Sequence, residues 1–197
     1  MFATQRSALL LSFVLLLFVL TPPASADNLV ANGGFETGDF TGWTVSGSDF
    51  NTWNGISSNV PHSGAYSAFF GNPTGLDYIS QDLTTVPGES YLLTLWIAQQ
   101  PSPQTPDNEA VLYWNGVEIG DGVNLPVRPW TEEQTIVTAT GTSTELEFGA
   151  MDAPGWIALD DISVEPMVPE PAPVLLFGSG LLLALFMVVY RKSLANR

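Results

Sequence analysis

The sequence predicts an all-β fold, a single jelly-roll β-sandwich flanked by two hydrophobic ends. Between residues 27 and 165, no apolar pattern repeats with a helical period over a useful length. Short runs rich in β-branched and aromatic residues occur instead, and Gly, Pro, Asn, Asp and Ser separate them. About nine such runs, spaced roughly 8–15 residues apart, are typical of one antiparallel sandwich.

The predicted strands follow one another with no internal repeat. In chain order they are Asn28–Ala31, Trp43–Ser46, Tyr66–Gly71, Tyr78–Thr85, Tyr91–Gln99, Glu109–Trp114, Trp130–Thr138, Thr144–Gly149 and Trp156–Val164. In the fifth run, Leu93, Leu95 and Ile97 fall on one face, which we expect to be buried. Asn115-Gly116 predicts a two-residue hairpin, because a type I′ turn needs positive φ at both positions.

The last predicted strand changes its pattern in the middle. Before Asp160-Asp161 the apolar residues Ile157 and Leu159 fall on odd positions, and after it Ile162 and Val164 fall on even ones. Side chains in a strand alternate with a period of two, so a change of parity indicates one extra residue in the strand. We therefore expect a β-bulge at the two aspartates.

The N-terminal end is predicted to be a secretory signal peptide, residues 1–26. Arg6 supplies a positive charge, Ala8–Leu20 is a short apolar stretch, and Ala24-Ser25-Ala26 has the small residues of a cleavage site. Cleavage there would release a domain of residues 27–165. We therefore expect an exported protein.

The C-terminal segment, 166–197, contains Val168-Pro169-Glu170-Pro171, an apolar run at 172–190 and a basic tail at 191–197. As a helix, the apolar run is about 28 Å long, enough to span a bilayer. This order resembles the PEP-CTERM sorting signal of bacterial surface proteins, although the basic cluster is thin. The resemblance implies processing by exosortase, a membrane enzyme, and a place at the cell surface or outside the cell. The alternative is a plain membrane anchor in which proline begins the helix.

Charge excludes one large class of partner. The whole chain has 5 basic and 20 acidic residues, and Arg128 is the single Lys or Arg between residues 27 and 170. One basic residue against twenty acidic ones gives this stretch a net charge of −19, which repels nucleic acid. The chain has no cysteine, so disulfides, thiolate metal sites and cysteine nucleophiles are also excluded.

Two sequence segments resemble carbohydrate-binding-module and galactose-binding-like jelly rolls. Asn32-Gly33-Gly34-Phe35-Glu36-Thr37-Gly38 is similar to their opening, and Leu159-Asp160-Asp161-Ile162-Ser163-Val164 is similar to their last strand. In that family the first and last strands lie near each other and often share a structural Ca²⁺. The resemblance implies calcium ligands at Glu36, Asp160 and Asp161, which supply hard oxygen atoms. The alternative is that all three are solvated residues that close turns.

Binding of extracellular polysaccharide would need aromatic platforms with amides or carboxylates beside them. Trp96, on the polar side of its strand, is the main candidate, and Gln99 at the end of that strand would supply an amide. Trp53 and Tyr113 are further candidates. The other reading of any aromatic in a sandwich is core packing, which we expect for Trp43 and Trp156.

An enzyme is not expected. The single histidine, His62, stands in a Pro-His-Ser-Gly turn, where capping or packing is its expected role. A zinc site would need several His or Cys ligands, and a serine triad would need a nucleophile-elbow motif; the sequence provides neither. Glu132 and Glu133, adjacent in an extended strand, would point to opposite faces and could not act as a catalytic pair. The sequence therefore favours a non-catalytic polysaccharide-binding surface protein. The alternatives are an adhesive protein that binds other proteins and a cryptic glycoside hydrolase with two converging carboxylates. Exposed tryptophans in a concave patch would favour sugar over protein.

Overall fold

The structure, a computed structural model, describes residues 27–48, 50–99, 108–152 and 154–167. These residues belong to one compact unit, Ser25–Met167. The predicted signal peptide, sorting motif and membrane span lie outside the described residues. Within the described ranges, no helix is long and apolar enough to cross a membrane.

Ten strands and one short helix are described. They are β1 Thr44–Ser46, α1 Phe50–Trp53, β2 Asn54–Ser57, β3 Ser67–Phe70, β4 Asp77–Thr84, β5 Ser90–Gln99, β6 Glu109–Trp114, β7 Val117–Val123, β8 Arg128–Thr138, β9 Ser143–Met151 and β10 Ile157–Pro166. Sheet I has the order β1-β4-β9-β6-β7 and sheet II the order β2-β3-β10-β5-β8. Neighbouring strands are antiparallel throughout. The expectation of an all-β sandwich is confirmed.

The core lies between the two sheets. In β5 the buried face carries Leu93, Leu95 and Ile97, as the alternating sequence predicts. Sheet I contributes Leu146 and Phe148 from β9. Each large side chain buried in this way stabilises the fold by roughly 1.5–3 kcal/mol relative to exposure.

The two predicted irregularities of the strands are confirmed. Asn115 and Gly116 have φ of 52° and 74° and join β6 to β7, with Trp114 opposite Val117. In β10 the register against β5 shifts between Asp160 and Ser163, and Asp161 has a φ of 47°. This bulge allows Asp160 and Ile162 both to be buried.

The N-terminal segment packs against β10, but the predicted strand Asn28–Ala31 is not a regular strand. Leu29 N–H donates to the carbonyl of Val164, and Ile162 N–H donates to that of Gly33. A Cβ at Gly33 would overlap the Ile162 carbonyl oxygen, so only glycine fits there. The first and last segments of the domain therefore lie side by side, as the resemblance implied.

Candidate functional site

Three carboxylates, which we call the carboxylate clamp, hold the loop 61–66. Glu36 accepts the backbone N–H groups of Ala65 and Tyr66 at 3.0–3.1 Å. Asp160 Oδ2 accepts the N–H groups of His62 at 2.8 Å and Ser63 at 3.3 Å. The bulge presents Asp161 beside Asp160. Its oxygens contact His62 Nδ1 at 2.6 Å and the hydroxyl of Ser63 at 2.9 Å.

Asp160 is fully buried. Burial raises its pKa to about 6, and the N–H groups of Asp161 and His62 offset part of that rise. The clamp thus keeps a carboxyl group that titrates near neutrality inside the sandwich.

The clamp residues are the predicted calcium ligands. Within the described residues, no group of three or more His, Cys, Asp or Glu side chains is arranged to hold a metal ion. Oxygens of Glu36, Asp160 and Asp161 already accept hydrogen bonds from the loop, so the donor set as it stands fits a cation poorly. Calcium stays a prediction, which a higher melting temperature in added CaCl₂ would support and an unchanged one would contradict.

Trp96 lies on the outer face of sheet II, where His62 covers it. The two rings are stacked, with centroids 3.7 Å apart and 15° between their planes. Trp130 contacts the His62 ring in an edge-to-face arrangement, with the ring centroids 5.7 Å apart. One face of Trp96 is therefore taken by packing. The expected packing role of His62 is what the structure shows.

Gln99 is 2% exposed, so it does not reach the surface. Its side-chain N–H donates to Asp152 Oδ2 at 2.6 Å. The expectation of an amide that touches ligand is corrected, because the last residue of β5 turns inward. Gln99 supports the end of the sandwich from inside.

A groove of about 420 Å³ lies at that same end of the sandwich. Trp53 and Trp156 both line it and are 46% and 42% exposed. The rest of its wall is small or apolar, namely Thr52, Phe69, Gly71, Pro73, Pro154 and Gly155. We call this feature the tryptophan groove.

Three segments distant in sequence form the groove. Trp53 ends α1 and leads directly into β2, whose Gly55 lies under the ring of Phe69 on β3. Gly71 follows β3, and a Cβ there would press against the carbonyl oxygens of Trp53 and Gly155 at 3.2–3.3 Å. Small residues at 55 and 71 therefore let the segments approach one another closely.

A buried polar network lies beneath the groove. Asp77 Oδ2 accepts the side-chain N–H groups of Asn54 at 2.6 Å and Asn72 at 2.9 Å. Asn54 Oδ1 in turn accepts Gly71 N–H at 3.1 Å, and the Asn72 carbonyl accepts the N–H of Asp152. Hydrogen bonds in a dry interior are directional and costly to break, so this network fixes the loops that carry the tryptophans.

Trp156 was expected in the core, and this expectation is wrong. The residue precedes the first paired residue of β10, Ile157, and follows Pro154-Gly155, so none of the described strands pairs with it, and it is 42% exposed. That Pro-Gly pair is a turn signal, and it was the one available hint that Trp156 stands outside the sandwich.

Tyr113 lies on the open face of sheet I, opposite Glu147 of β9. Next to this pair Tyr78 lies over Gly149, whose missing Cβ leaves room for the ring. Burial raises the pKa of Tyr78, and the neighbouring Tyr113, Glu147 and Glu109 raise it further. Tyr113 is thus half-buried in an acidic face, away from the tryptophan groove.

The sandwich is similar to solved carbohydrate-binding modules. TmCBM61 in complex with beta-1,4-galactotriose matches with a TM-score of 0.54 and 18% identity, over 72% of this chain and 99% of that one. Family 16 Carbohydrate Binding Module-2 matches with a TM-score of 0.52 and 19% identity, over 70% and 99%. The CBM22-1 xylan-binding domain from Paenibacillus barcinonensis Xyn10C matches with 0.51 and 17%, over 75% and 99%. No protein-family model and no curated protein matches the chain. At these identities the likeness shows the fold alone, an all-β sandwich shared with carbohydrate-binding modules.

Proposed function

We propose that the chain is an exported, non-catalytic polysaccharide-binding protein whose contact surface is the tryptophan groove. The observation that carries the proposal is the pair of exposed indoles, Trp53 and Trp156, in one concave site. Single exposed hydrophobic residues are common, but exposed apolar side chains grouped in one patch mark binding sites in soluble proteins. The shared fold supports this proposal, because solved neighbours are named for galactotriose and xylan ligands.

The groove suits the apolar faces of sugar rings. A pyranose presents C–H groups on its flat faces, and an indole offers a wide apolar surface for them. The groove volume of about 420 Å³ lies within the usual range of small-ligand sites. Because the polar network below fixes the loops, little conformational entropy is lost on binding. The concave tryptophan pair also favours sugar over a flat protein interface.

The test is retention of the purified domain on immobilised β-1,4-galactan and xylan. Trp53→Ala and Trp156→Ala should each weaken binding to the retaining polymer about tenfold or more, because truncation of a central aromatic contact residue typically costs about 2 kcal/mol or more. Tyr113→Ala is the matched control, because it removes an aromatic ring from the acidic face of sheet I. Trp96→Ala tests the residue that the sequence predicts as the main sugar platform.

Both control variants should keep wild-type retention. Loss in Trp96→Ala or Tyr113→Ala, with Trp53→Ala and Trp156→Ala unaffected, would move the site to another face. Failure of the wild-type domain to bind any neutral polysaccharide would contradict the proposed function itself.

Export and sorting are the second part of the proposal. Residues 1–26 direct export, and exosortase processes the chain at Val168-Pro169-Glu170-Pro171 ahead of the span 172–190. The charge distribution supports this, since four of the five basic residues lie in the two terminal segments. The acidic domain between them suits an aqueous exterior.

Sorting is tested with a C-terminal epitope tag in a bacterium that carries an exosortase. The wild-type chain should lose the tag, whereas replacement of Pro169-Glu170-Pro171 by three alanines should leave a full-length, membrane-bound protein. Ser193→Ala, beyond the span, is the control and should be processed normally. If none of the three chains loses the tag, the segment is a plain membrane anchor. If all three lose it, an unrelated protease removes it.

A further inference from the structure

The tryptophan groove offers a ligand very few hydrogen-bonding side chains. Among the described residues that line it, Thr52 has the one hydroxyl, and the indole N–H groups of Trp53 and Trp156 are the other polar side-chain atoms. None of these lining residues carries a carboxylate, an amide or a charged group. The remaining side chains of the wall belong to phenylalanine, proline and glycine, which bring no hydrogen-bonding group. The wall is therefore apolar over most of its area.

The amides of the network beneath the groove are engaged within the protein. Asn54 and Asn72 are 9% and 1% exposed, and side-chain N–H groups of both donate to Asp77 Oδ2. Asn54 Oδ1 accepts the backbone N–H of Gly71. Asn72 Oδ1 accepts the backbone N–H and the hydroxyl of Thr74. These amides hold the loops in place and do not supply the groove with contacts to a ligand.

A wall of this kind discriminates among sugars by their substituents. A hydroxyl group that leaves water without finding a partner costs free energy, whereas a methyl group moved from water onto an apolar surface gains it. An unmodified sugar ring carries hydroxyl groups on most of its carbons. An acetyl substituent replaces one of them with an uncharged group that ends in a methyl, and its carbonyl oxygen is an acceptor that suits an indole N–H.

We propose that the tryptophan groove recognises an acetylated sugar, with the methyl of the acetyl group against Trp53 or Trp156. This inference rests on the proposed function, because it names the substrate class of the same groove. The acetyl group belongs either to an N-acetylated amino sugar or to an O-acetylated neutral sugar, and both forms present the same methyl and carbonyl groups. Both are also uncharged, which agrees with a wall that has no ionic partner to offer.

The experiment compares two pairs of ligands that differ in acetylation. Calorimetric titration of the purified protein uses the β-1,4-linked tetramer of N-acetylglucosamine and cellotetraose, which has hydroxyl groups in place of the acetamido groups. The acetylated tetramer should bind at least about fourfold more tightly, the gain for one buried methyl group. Affinity electrophoresis then compares acetylated xylan with the same sample after mild alkali, which removes the ester groups. A preference within the first pair alone assigns the groove to N-acetylated sugars, and one within the second pair alone assigns it to O-acetylated sugars.

Variants test whether the acetyl group lies against the indoles. Trp53→Ala or Trp156→Ala, whichever removes the ring that holds the methyl group, should bring the affinity ratio of the acetylated to the unmodified ligand close to one. Thr52→Val removes the hydroxyl of the wall with little change in shape, so the preference for the acetylated ligand should remain. Tyr113→Ala, on the acidic face of sheet I, is the control and should keep the wild-type ratio.

The inference and the proposed function fail in different ways. Equal binding of the acetylated and unmodified ligands in both pairs would overturn the inference while polysaccharide binding stands. An undiminished preference in both tryptophan variants would also overturn it, since the acetyl group would then lie elsewhere. So would loss of the preference in Thr52→Val, because a hydrogen bond and not the apolar wall would make the selection. Absence of binding to any neutral polysaccharide, acetylated or not, would contradict the proposed function itself.

Discussion

Asp160 stabilises the fold through its hydrogen bonds, but its burial penalises its own negative charge. Its carboxylate accepts N–H groups from His62, Ser63 and Asp161 and thereby fastens loop 61–66 to β10. The same burial that makes these bonds strong penalises the negative charge and raises the pKa of the group to about 6. The hydrogen bonds from the loop favour the ionised carboxylate, whereas burial favours the protonated group, and burial is the larger of the two effects.

This leads to a prediction about pH. Because the pKa of Asp160 is higher in the folded chain than its ordinary value of 3.8, its contribution to stability is full below about pH 4 and is lost as pH rises through 6. Asp160→Asn mimics the protonated carboxyl at all pH values. Urea unfolding from pH 4 to 7 should show the wild type losing at most about 3 kcal/mol relative to this variant. Asp161 and His62 are present in both proteins, so parallel pH profiles would show that Asp160 does not titrate in this range.

At the scale of elements, the sequence was informative where a strand has one buried face. The alternation in β5 and the Asn-Gly turn follow directly from side-chain geometry, and the parity change at Asp160-Asp161 located the bulge. The missed strands, β2 and β7, both lie at sheet edges. β2 begins with Asn54-Gly55 and β7 contains Gly120-Asp121-Gly122, which read as turns. An edge strand buries little, so its partner strand, and not its own pattern, determines its conformation.

The candidate site was less predictable than the fold. The tryptophan groove joins residues 52–53, 69–73 and 154–156, and only the strand topology brings these segments together. Trp53 could be predicted as a sugar-contact residue because it stands among polar residues typical of turns. Gln99 and Trp96 were named from their position in β5, but the inward turn of Gln99 and the stacking of His62 on Trp96 depend on contacts more than thirty residues apart in the chain.

A glycine comparison tests the loop that the carboxylate clamp holds. Gly64 and Gly116 have φ of 60° and 74°, so an alanine at either position costs about 1–2 kcal/mol in backbone strain. A Cβ at 64 would also overlap the carboxylate of Glu36, whereas nothing lies within 4 Å of one at 116. Denaturant unfolding should therefore show Gly64→Ala as less stable than Gly116→Ala by about 1 kcal/mol or more. Equal losses in the two variants would mean that Glu36 does not pack against the loop.

At the scale of the whole molecule, charge and binding surface are separated. The tryptophan groove is lined by aromatic, Pro, Gly and Thr residues, while the stretch that contains it carries twenty acidic side chains and one basic one. Contact with a neutral polymer should therefore be apolar, and the surrounding negative field should exclude anionic polymers.

The salt dependence of binding distinguishes apolar contact from electrostatic repulsion. The affinity of the domain for the neutral polysaccharide that retains it should change less than twofold between about 50 mM and 500 mM NaCl, because stacking involves no charge pair. Retention on alginate, an anionic polymer, should be negligible at low salt. Affinity electrophoresis at several salt concentrations measures both. A steep loss of neutral-polymer binding with salt would instead indicate that carboxylates make the main contacts.

Strand β10 runs from the tryptophan groove to the opposite end of sheet II. Its first residue, Ile157, adjoins the tryptophan groove through Trp156, and its last, Pro166, pairs with Tyr91 at the far end of sheet II. Ten extended residues reach about 33 Å, so the C-terminal end of β10 lies about one strand length from the indoles. A partner that contacts the C-terminal end of β10 and a polymer held in the tryptophan groove would therefore bind at opposite ends of the domain without competing.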